Sequence, residues 1–440
     1  MAARANDVDA CPGALRMHTA ADGPLARVRL PGGMITGPQL AALHALAPAG
    51  FLELTSRANV QLRALIDADP VELAARLAEA GLLPSETHET VRNIAAPPLA
   101  DATIRALVEQ LDRDLCGDPA LAALPGRFLF AIGAVPLSAD VAAVPVAAPT
   151  GGKLAEPGDD EFAILFADED HGIRVSADQV VPALLAAANA FLAERATAAE
   201  PTRATPAWRL HELPDGPATV AARTAAALWI THSGGLTSGR VPSLSPGWAG
   251  VRDGDSSDLE RREARMPVDA AARNGEPTAP VGIVRQSDGL QAVGALVPLG
   301  RLGGPALTLL STARRIVVTP GRGIVVPDLT PEAARRWARA LDEAGLPTDP
   351  HSRWTGVTAC AGKPGCAKSL ADVRADADTT TTYGDGLPVH WIGCARGCGS
   401  PSGAHVRVEA TGDGYRVSRE PDGKTYTGDT ARAVAAARRN

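Results

Sequence analysis

Ala80-Gly81-Leu82 closes one helix-forming stretch, and Ala344-Gly345-Leu346 closes another 264 residues further on. Leu54-Thr55 falls on Val318-Thr319 at the same shift, and Leu77 and Glu79 fall on Leu341 and Glu343. A repeat that holds over apolar and turn positions alike reads as the duplication of one unit. In the first copy, 25–30 alternates as a strand, Gly32-Gly33 turns, 39–46 is helical, and 51–55 and 60–64 are extended. A helix from Pro70 to Gly81 ends it, with proline in the first turn and glycine as the stop. The second copy repeats the order: strands at 283–285, 292–297, 316–319 and 324–326, then a helix from Thr330-Pro331 to Gly345. Thr330 is placed as its N-cap, with Leu341 and Ala344 on its apolar stripe. At a shift of 263, Leu124-Pro125 meets Leu387-Pro388 and Phe128 meets Trp391, so the repeat extends beyond the half-units.

Composition bounds what such a chain does. Its 440 residues exceed one core and suit several units of about 100–200 residues. A hydrophobic content of 45% excludes disorder throughout. Forty-three basic against 50 acidic side chains leave a net charge of -7, which excludes a general nucleic-acid binder because phosphate neutralisation needs a cationic face. No apolar run reaches the roughly 18 residues of a membrane helix, and 180–192 reads as a buried helix. Residues 1–17 carry Arg4, Asp7, Asp9 and Arg16 without an apolar core, so no secretory signal and a cytoplasmic location are expected. Residues 240–280, rich in Pro, Gly, Asp and Arg, read as a linker or an active-site loop, and 136–159 as a loop-like insertion.

Six cysteines in a cytoplasmic chain point to metal ligation or buried thiols rather than disulfides. Cys360 and Cys366 form Cys-x5-Cys, and after 27 residues Cys394 and Cys398 form Cys-x3-Cys. Four thiolates from two loops suit a 4Fe-4S cluster, each sulfur taking one iron corner. Gly362, Gly365, Gly393, Gly397 and Gly399 let amide N–H groups approach the sulfurs, and Lys363, Lys368 and Arg396 offset the cluster's negative charge. Tetrathiolate zinc is the competing reading, although its pairs are usually Cys-x2-4-Cys. Cys11 and Cys116 have no partner at ligand spacing and read as plain thiols.

The first copy has no thiols at the equivalent places and carries instead Thr55-Ser-Arg-Ala-Asn-Val-Gln-Leu-Arg63. Read as one extended segment, Arg57, Asn59, Gln61 and Arg63 share a face, with Ala58, Val60 and Leu62 on the other. Arg92-Asn93 and Arg127 follow in apolar surroundings. Singly these would be solvated surface arginines. As an ordered set they suit a polycarboxylate ligand, since guanidinium forks match carboxylates bidentately.

The Thr55 to Arg63 segment, Val91-Arg92-Asn93, Leu124-Pro125-Gly126-Arg127-Phe128 and the four cysteines together resemble the siroheme-type sulfite and nitrite reductase superfamily, over most of the chain from Pro24 to Pro401. The resemblance implies an α+β fold of duplicated ferredoxin-like half-units about a pseudo-twofold, plus two α/β lobes. It divides the chain into half-unit 1 at 15–84, a first lobe with the arginine pocket at 85–210, a partly mobile linker at 211–280, half-unit 2 at 281–349 and a cluster lobe at 350–440. Arg57, Arg92 and Arg127 match positions of the cationic tetrapyrrole and anion pocket. Where the reductases place a lysine two residues beyond Arg127, this chain has Leu129, and Ala395-Arg396-Gly397 replaces their Pro-Asn-Gly.

The chain is more similar to a shorter branch of the superfamily, the precorrin-3B synthases. That resemblance implies an O2-dependent monooxygenase that hydroxylates precorrin-3A at C20 with lactone formation, in aerobic cobalamin biosynthesis. It implies a 4Fe-4S cluster, a mononuclear non-haem iron, and electrons from a donor protein or an NADH-linked reductase. Siroheme belongs only to the alternative, a sulfite or nitrite reductase, and a non-catalytic tetrapyrrole-binding scaffold is the third reading. No ligands are assigned to the iron, although His88, His351, His390 and His405 lie in motif regions.

Overall fold

A computed structural model describes residues 9, 11–146, 161–197, 207–233, 280–401 and 403–439. The chain forms two compact units, one of Met1–Asp9 with Ala106–Glu276 and one of Ala10–Arg105 with Pro277–Asn440. Both half-units and the cysteine-bearing lobe lie in the second.

There the duplication is visible as two antiparallel five-stranded sheets that exchange an edge strand. The first runs His18–Ala20, Gly23–Val28, Val60–Leu62, Phe51–Leu54, and is completed by Arg301–Gly303 from the second copy. The second runs Gly282–Arg285, Gln291–Ala295, Ile324–Leu329, Ile316–Val318, and is completed by Met34–Ile35 from the first. Leu302 pairs with Leu52 and Ile35 with Ile316 across the two exchanged edges. The crossing is tight at Gly33, which has a φ of +70°, and a Cβ there would stand 2.1 Å from the Val318 carbonyl oxygen.

Local sequence explains the helices. Thr36 caps Gly37–Ala45 in a capping box with Gln39, and Asp69 caps Pro70–Glu79 by accepting from Val71 and Glu72 N–H. Thr330 caps Pro331–Glu343, as its sequence indicates, and Ala334 and Leu341 are the buried members of that helix. These helices and both sheets close one core containing Leu43, Leu52, Val60, Leu62, Val293, Leu307, Leu310, Ile324 and Leu341. Each large aliphatic side chain there stabilises the fold by about 1.5–3 kcal/mol through burial.

The cysteine lobe is a mixed sheet. Val357–Ala359, Val389–Ile392 and His405–Ala410 are parallel neighbours, followed by antiparallel Tyr415–Glu420 and Thr425–Tyr426. Helices Val373–Thr380 and Thr430–Arg438 contribute Val373, Ala377, Ala433 and Ala437 to its core around Trp391.

The other unit repeats this order within itself. Phe130–Ile132 is parallel to Val141–Pro145, which continues antiparallel to Glu161–Phe166 and Glu169–Ser176. Phe128 packs edge-on to Phe130 with ring centroids 5.0 Å apart. Two sequence expectations are corrected here. The expected linker 211–280 contains the helix Gly216–Ser233, which packs on Val180–Thr197 and buries Val220, Ala221, Thr224 and Leu228. The expected loop 136–159 contains the strand Val141–Pro145, whose Val141, Ala142 and Ala143 are buried. The stretch 240–279 lies outside the described residues. Among the described residues no helix is long and apolar enough to cross a membrane.

Candidate functional site

Parallel pairing brings the cysteine loops together. Val357–Ala359 and Val389–Ile392 end at the same edge of their sheet, and Cys360 and Cys394 follow them directly and two residues on. Loops beyond the carboxyl ends of parallel strands are the usual ligand site of such sheets. Cys360 N–H donates to Trp391 O at 2.9 Å, and Gly393 N–H points at Cys360 Sγ, 3.3 Å away. Leu370 N–H donates to Gly393 O at 2.8 Å, locking the loop of Cys366 to that of Cys394. A Cβ at Gly393 would fall 1.7 Å from Ser369 Oγ, so only glycine permits this approach.

The four thiols are electrostatic neighbours. Burial raises the Cys398 thiol above its ordinary range and Cys360, Cys394 and Cys366 raise it further, against the field of Arg396. Yet among the described residues no three Cys, His, Asp or Glu side chains are placed to hold a single metal ion. Sulfurs sharing one zinc at about 2.3 Å would have to lie within about 4 Å of one another. A cubane gives each sulfur its own iron on a wider frame, with amides directed at sulfur. The Gly393–Cys360 contact and the two glycine-rich loops fit a 4Fe-4S cluster on Cys360, Cys366, Cys394 and Cys398.

His390 fixes the last cysteine from behind. Strand alternation sends Val389 and Trp391 into the core, while the buried His390 ring lies between Thr358 Oγ1 at 2.7 Å from Nδ1 and Cys398 O at 3.1 Å from Nε2. Burial first, and Arg322 second, lower its pKa to about 3, so the ring is neutral. A carbonyl only accepts, so Nε2 carries the proton and Nδ1 accepts from the Thr358 hydroxyl.

Around the loops stands a buried cluster of charge. Arg63 makes a two-pronged pair with Asp22 at 2.9 and 2.8 Å, reaches Glu53 at 3.3 Å, and donates to Gly365 O at 2.8 Å. Arg374 stands 2.9 Å from Glu53 and donates through Nε to Cys360 O at 3.0 Å. Arg322 donates to Gly399 O at 3.2 Å. Burial works against the charge of Arg63, but Asp22 and Glu53 outweigh it and hold its pKa above the ordinary value. For Arg374 burial wins over Glu53, and together with Arg301, Arg322 and Arg63 lowers the pKa to about 10. Both guanidiniums remain charged at neutral pH.

Glu53 belongs to a polar row across the first sheet, in which Arg301 pairs with Glu53, Glu53 with Gln61 and Gln61 with Arg27. The corresponding row of the second sheet is Met34, Val317, Val325 and Gly294. The copies have diverged on this face: the second is apolar, with Val317, Val325 and Ala292 forming a small buried cluster beside Met34 and Leu99.

The residues expected to form a substrate platform separate in the structure. Arg57 lies in the Thr55 to Ala58 turn, before the strand Val60–Leu62 begins, so the expected alternation does not reach it. Asn59 is buried and accepts Leu30 N–H at 2.8 Å, bracing the crossover loop. Gln61 stands in the polar row, and Arg63 is engaged by Asp22, Glu53 and Gly365. Arg92 is buried and donates to Leu82 O at 3.0 Å, while Asn59 Nδ2 lies 3.5 Å from Asn93 Oδ1. Arg127 belongs to the other unit, where its guanidinium lies over the Trp208 ring at 5.0 Å and 3.8 Å from Asp9. Glu53, Asp22, Arg301, Arg322 and Arg374 were not singled out from the sequence. The available signal was Glu53 itself, one acid in the apolar run Phe51-Leu52-Glu53-Leu54, because a carboxylate in a buried strand requires partners.

The motif-region histidines do not assemble an iron site. His351 is exposed beside Asp349, His88 Nδ1 bonds Ser85 and Thr87 hydroxyls, His405 Nδ1 faces Gly403 O, and both ring nitrogens of His390 are engaged. Among the described residues no group of three or more His, Cys, Asp or Glu is placed to hold a metal ion, and no ligands and no step are assigned to a non-haem iron.

Paired half-units with exchanged edges and a cysteine lobe at the ends of parallel strands define a duplicated ferredoxin-like α+β architecture. Residues 18–80 match the nitrite/sulfite reductase ferredoxin-like half domain. A precorrin-3B synthase of Sinorhizobium sp is 26% identical over 92% of this chain and 81% of its own length. A ferredoxin–nitrite reductase of Leptolyngbya laminosa is 24% identical over 88% of this chain and 76% of its own. The solved structure of Mycobacterium tuberculosis NirA protein shares the fold, with a TM-score of 0.58 and 20% identity over 90% of this chain and 74% of that one. Over most of its length the chain is thus similar to proteins of the nitrite and sulfite reductase superfamily, and residues 18–80 match the ferredoxin-like half domain of that superfamily.

Proposed function

We propose that this chain is an iron-sulfur oxidoreductase acting on a precorrin-type tetrapyrrole, in the manner of precorrin-3B synthase: O2-dependent hydroxylation of precorrin-3A at C20 with lactone formation. The observation that carries this reading is the similarity to a precorrin-3B synthase over 92% of the chain, joined to Leu129 where the reductases place a lysine. Reduction of sulfite or nitrite needs a dense cationic, proton-donating site, and a missing lysine weakens it.

Cys360, Cys366, Cys394 and Cys398 would hold the cluster, which supplies one-electron transfer when bound. Arg57 is proposed to bind a carboxylate of the macrocycle. An arginine-lined site gives a net acidic protein both affinity and orientation for a polycarboxylate. The electron donor is a partner protein or an NADH-linked reductase.

A siroheme-dependent nitrite or sulfite reductase is the second reading, supported by the ferredoxin–nitrite reductase similarity over 88% of the chain. Single turnover with precorrin-3A under labelled O2, together with a visible spectrum, separates the readings. Label in the product without siroheme bands supports the first. Siroheme bands with nitrite or sulfite consumption replace it by the second, and binding without label incorporation leaves a carrier.

A further inference from the structure

We propose that Glu53 is a positioning residue for the cysteine loops, and that its charge, through the arginines it gathers, sets the reduction potential of the cluster. The inference rests on the assignment of that cluster to the four cysteines. Its basis is the convergence of three contacts. Arg63 and Arg374 each touch Glu53 and each donate to a main-chain carbonyl of a cysteine loop, those of Gly365 and Cys360. Arg301 approaches the same carboxylate from the exchanged strand, at 3.5 Å. One carboxylate thus ties the first half-unit, the second half-unit and the Cys360 and Cys366 loop to a single point.

The duplicated half provides an internal control. At the position of Glu53 the second copy has Val317, which is buried in an apolar cluster, so the half-unit fold itself does not require an acid there. What distinguishes the first copy is the presence of the arginine arms. A carboxylate buried to this depth is costly unless paired, and here two of its partners, Arg63 and Arg374, lead on to the cysteine loops.

Glu53 has a second effect, through charge. Four guanidiniums, of Arg63, Arg301, Arg322 and Arg374, face two carboxylates, Glu53 and Asp22, leaving a positive excess beside an anionic cluster. Reduction adds negative charge to the cluster, so every buried positive charge nearby favours the reduced form and Glu53 disfavours it.

The test uses the full-length protein, with iron and acid-labile sulfide measured first. Redox titrations followed by electron paramagnetic resonance then compare wild type with Glu53→Gln, Glu53→Asp and Arg374→Gln. The expected result is a positive shift of potential for Glu53→Gln, a negative one for Arg374→Gln, and a smaller departure for Glu53→Asp. Hydrogen exchange over 358–370 is expected to quicken in both Gln variants. Unchanged potentials, or shifts of the same sign in both, would overturn the proposal. If Glu53→Gln does not melt cooperatively, Arg374→Gln and Arg322→Gln carry the test, each expected to shift negative. A wild type that takes up no iron or sulfide overturns the cluster assignment instead. The positioning claim is then decided by hydrogen exchange alone, and equal rates in wild type and Glu53→Gln refute it.

Discussion

Arg301 Nε lies 3.5 Å from Glu53 Oε1, on a strand that belongs by sequence to the other copy of the half-unit. The exchanged edge is therefore chemically asymmetric. Arg301 extends a charged row in the first sheet, whereas Met34, its counterpart, extends an apolar row in the second. One sheet carries charge on this face and the other carries core.

This asymmetry predicts the cost of undoing it. Val317→Glu places in the second copy the residue its counterpart carries, but among Val325, Ala292 and Met34 rather than arginines. An uncompensated buried charge costs about 3–5 kcal/mol. The denaturant midpoint should fall accordingly, and a loss below about 1 kcal/mol would show that this face is open to water.

The two loops meet at Gly393 with no room for a methyl group, since a Cβ would overlap Ser369 Oγ. Gly393→Ala should cost about 1–3 kcal/mol, as overpacking does. Ser369→Gly in the same chain removes the colliding atoms and should recover most of the loss. Thermal melts of the single and double variants check this; an equally unstable double variant would locate the strain elsewhere.

Much of this was legible in the sequence because it is local or periodic. Gly81 and Gly345, the Thr330 cap and the apolar alternation of 25–30 report the half-units, and the cysteine spacing reports the loops. The exchanged strands were not legible. Met34–Ile35 and Arg301–Gly303 are too short to show a period, and their pairing is decided by where the preceding turns send the chain. The arginine platform was misread for a related reason. Ala58 has a φ of +56° and ends the hairpin turn, so Arg57 precedes the strand instead of sharing its face with Arg63. Arg374 was invisible because its relevance comes from the distant Glu53.

Arg57 and Arg63 should consequently fail in different ways. Arg63 is enclosed by Asp22, Glu53 and Gly365, so Arg63→Gln should lower stability and iron content together. Arg57, in a partly exposed turn, is proposed to meet substrate carboxylate. Arg57→Gln should leave iron and sulfide at wild-type levels and weaken tetrapyrrole binding about tenfold or more, the loss of one charged hydrogen bond. Fluorescence titration with precorrin-3A, beside iron analysis of both variants, measures the split. Equal iron loss in the two would remove the distinction.

Cys394→Ser tests the ligand set directly. A hydroxyl is a poor substitute for thiolate on iron, so the variant should lose its iron-sulfur absorbance and most of its acid-labile sulfide. Wild-type content in that variant would exclude Cys394 as a ligand.

Acid sensitivity should be traceable to Glu409. Its carboxylate accepts from Arg407 at 2.9 Å and from Arg416 at 2.8 Å, while Arg407 also donates to Ala395 O between the last two cysteines. Burial alone would raise its pKa, but the bonds from Arg416 and Arg407 outweigh it and hold the group below its ordinary value. A carboxylate lowered on folding contributes stability that is fully present above its unfolded pKa, near about 4.3, and is lost as pH falls through the folded value. Glu409→Gln should therefore melt lower than wild type at pH 7, by less than about 1 kcal/mol because Arg416 is exposed to screening. The gap should narrow as pH falls below about 4.3 and close only below the lowered folded value, where both chains carry a neutral group at this position. Parallel melts from pH 3.5 to 7 decide it: a gap that stays constant across that range would mean the side chain acts by packing and not by charge.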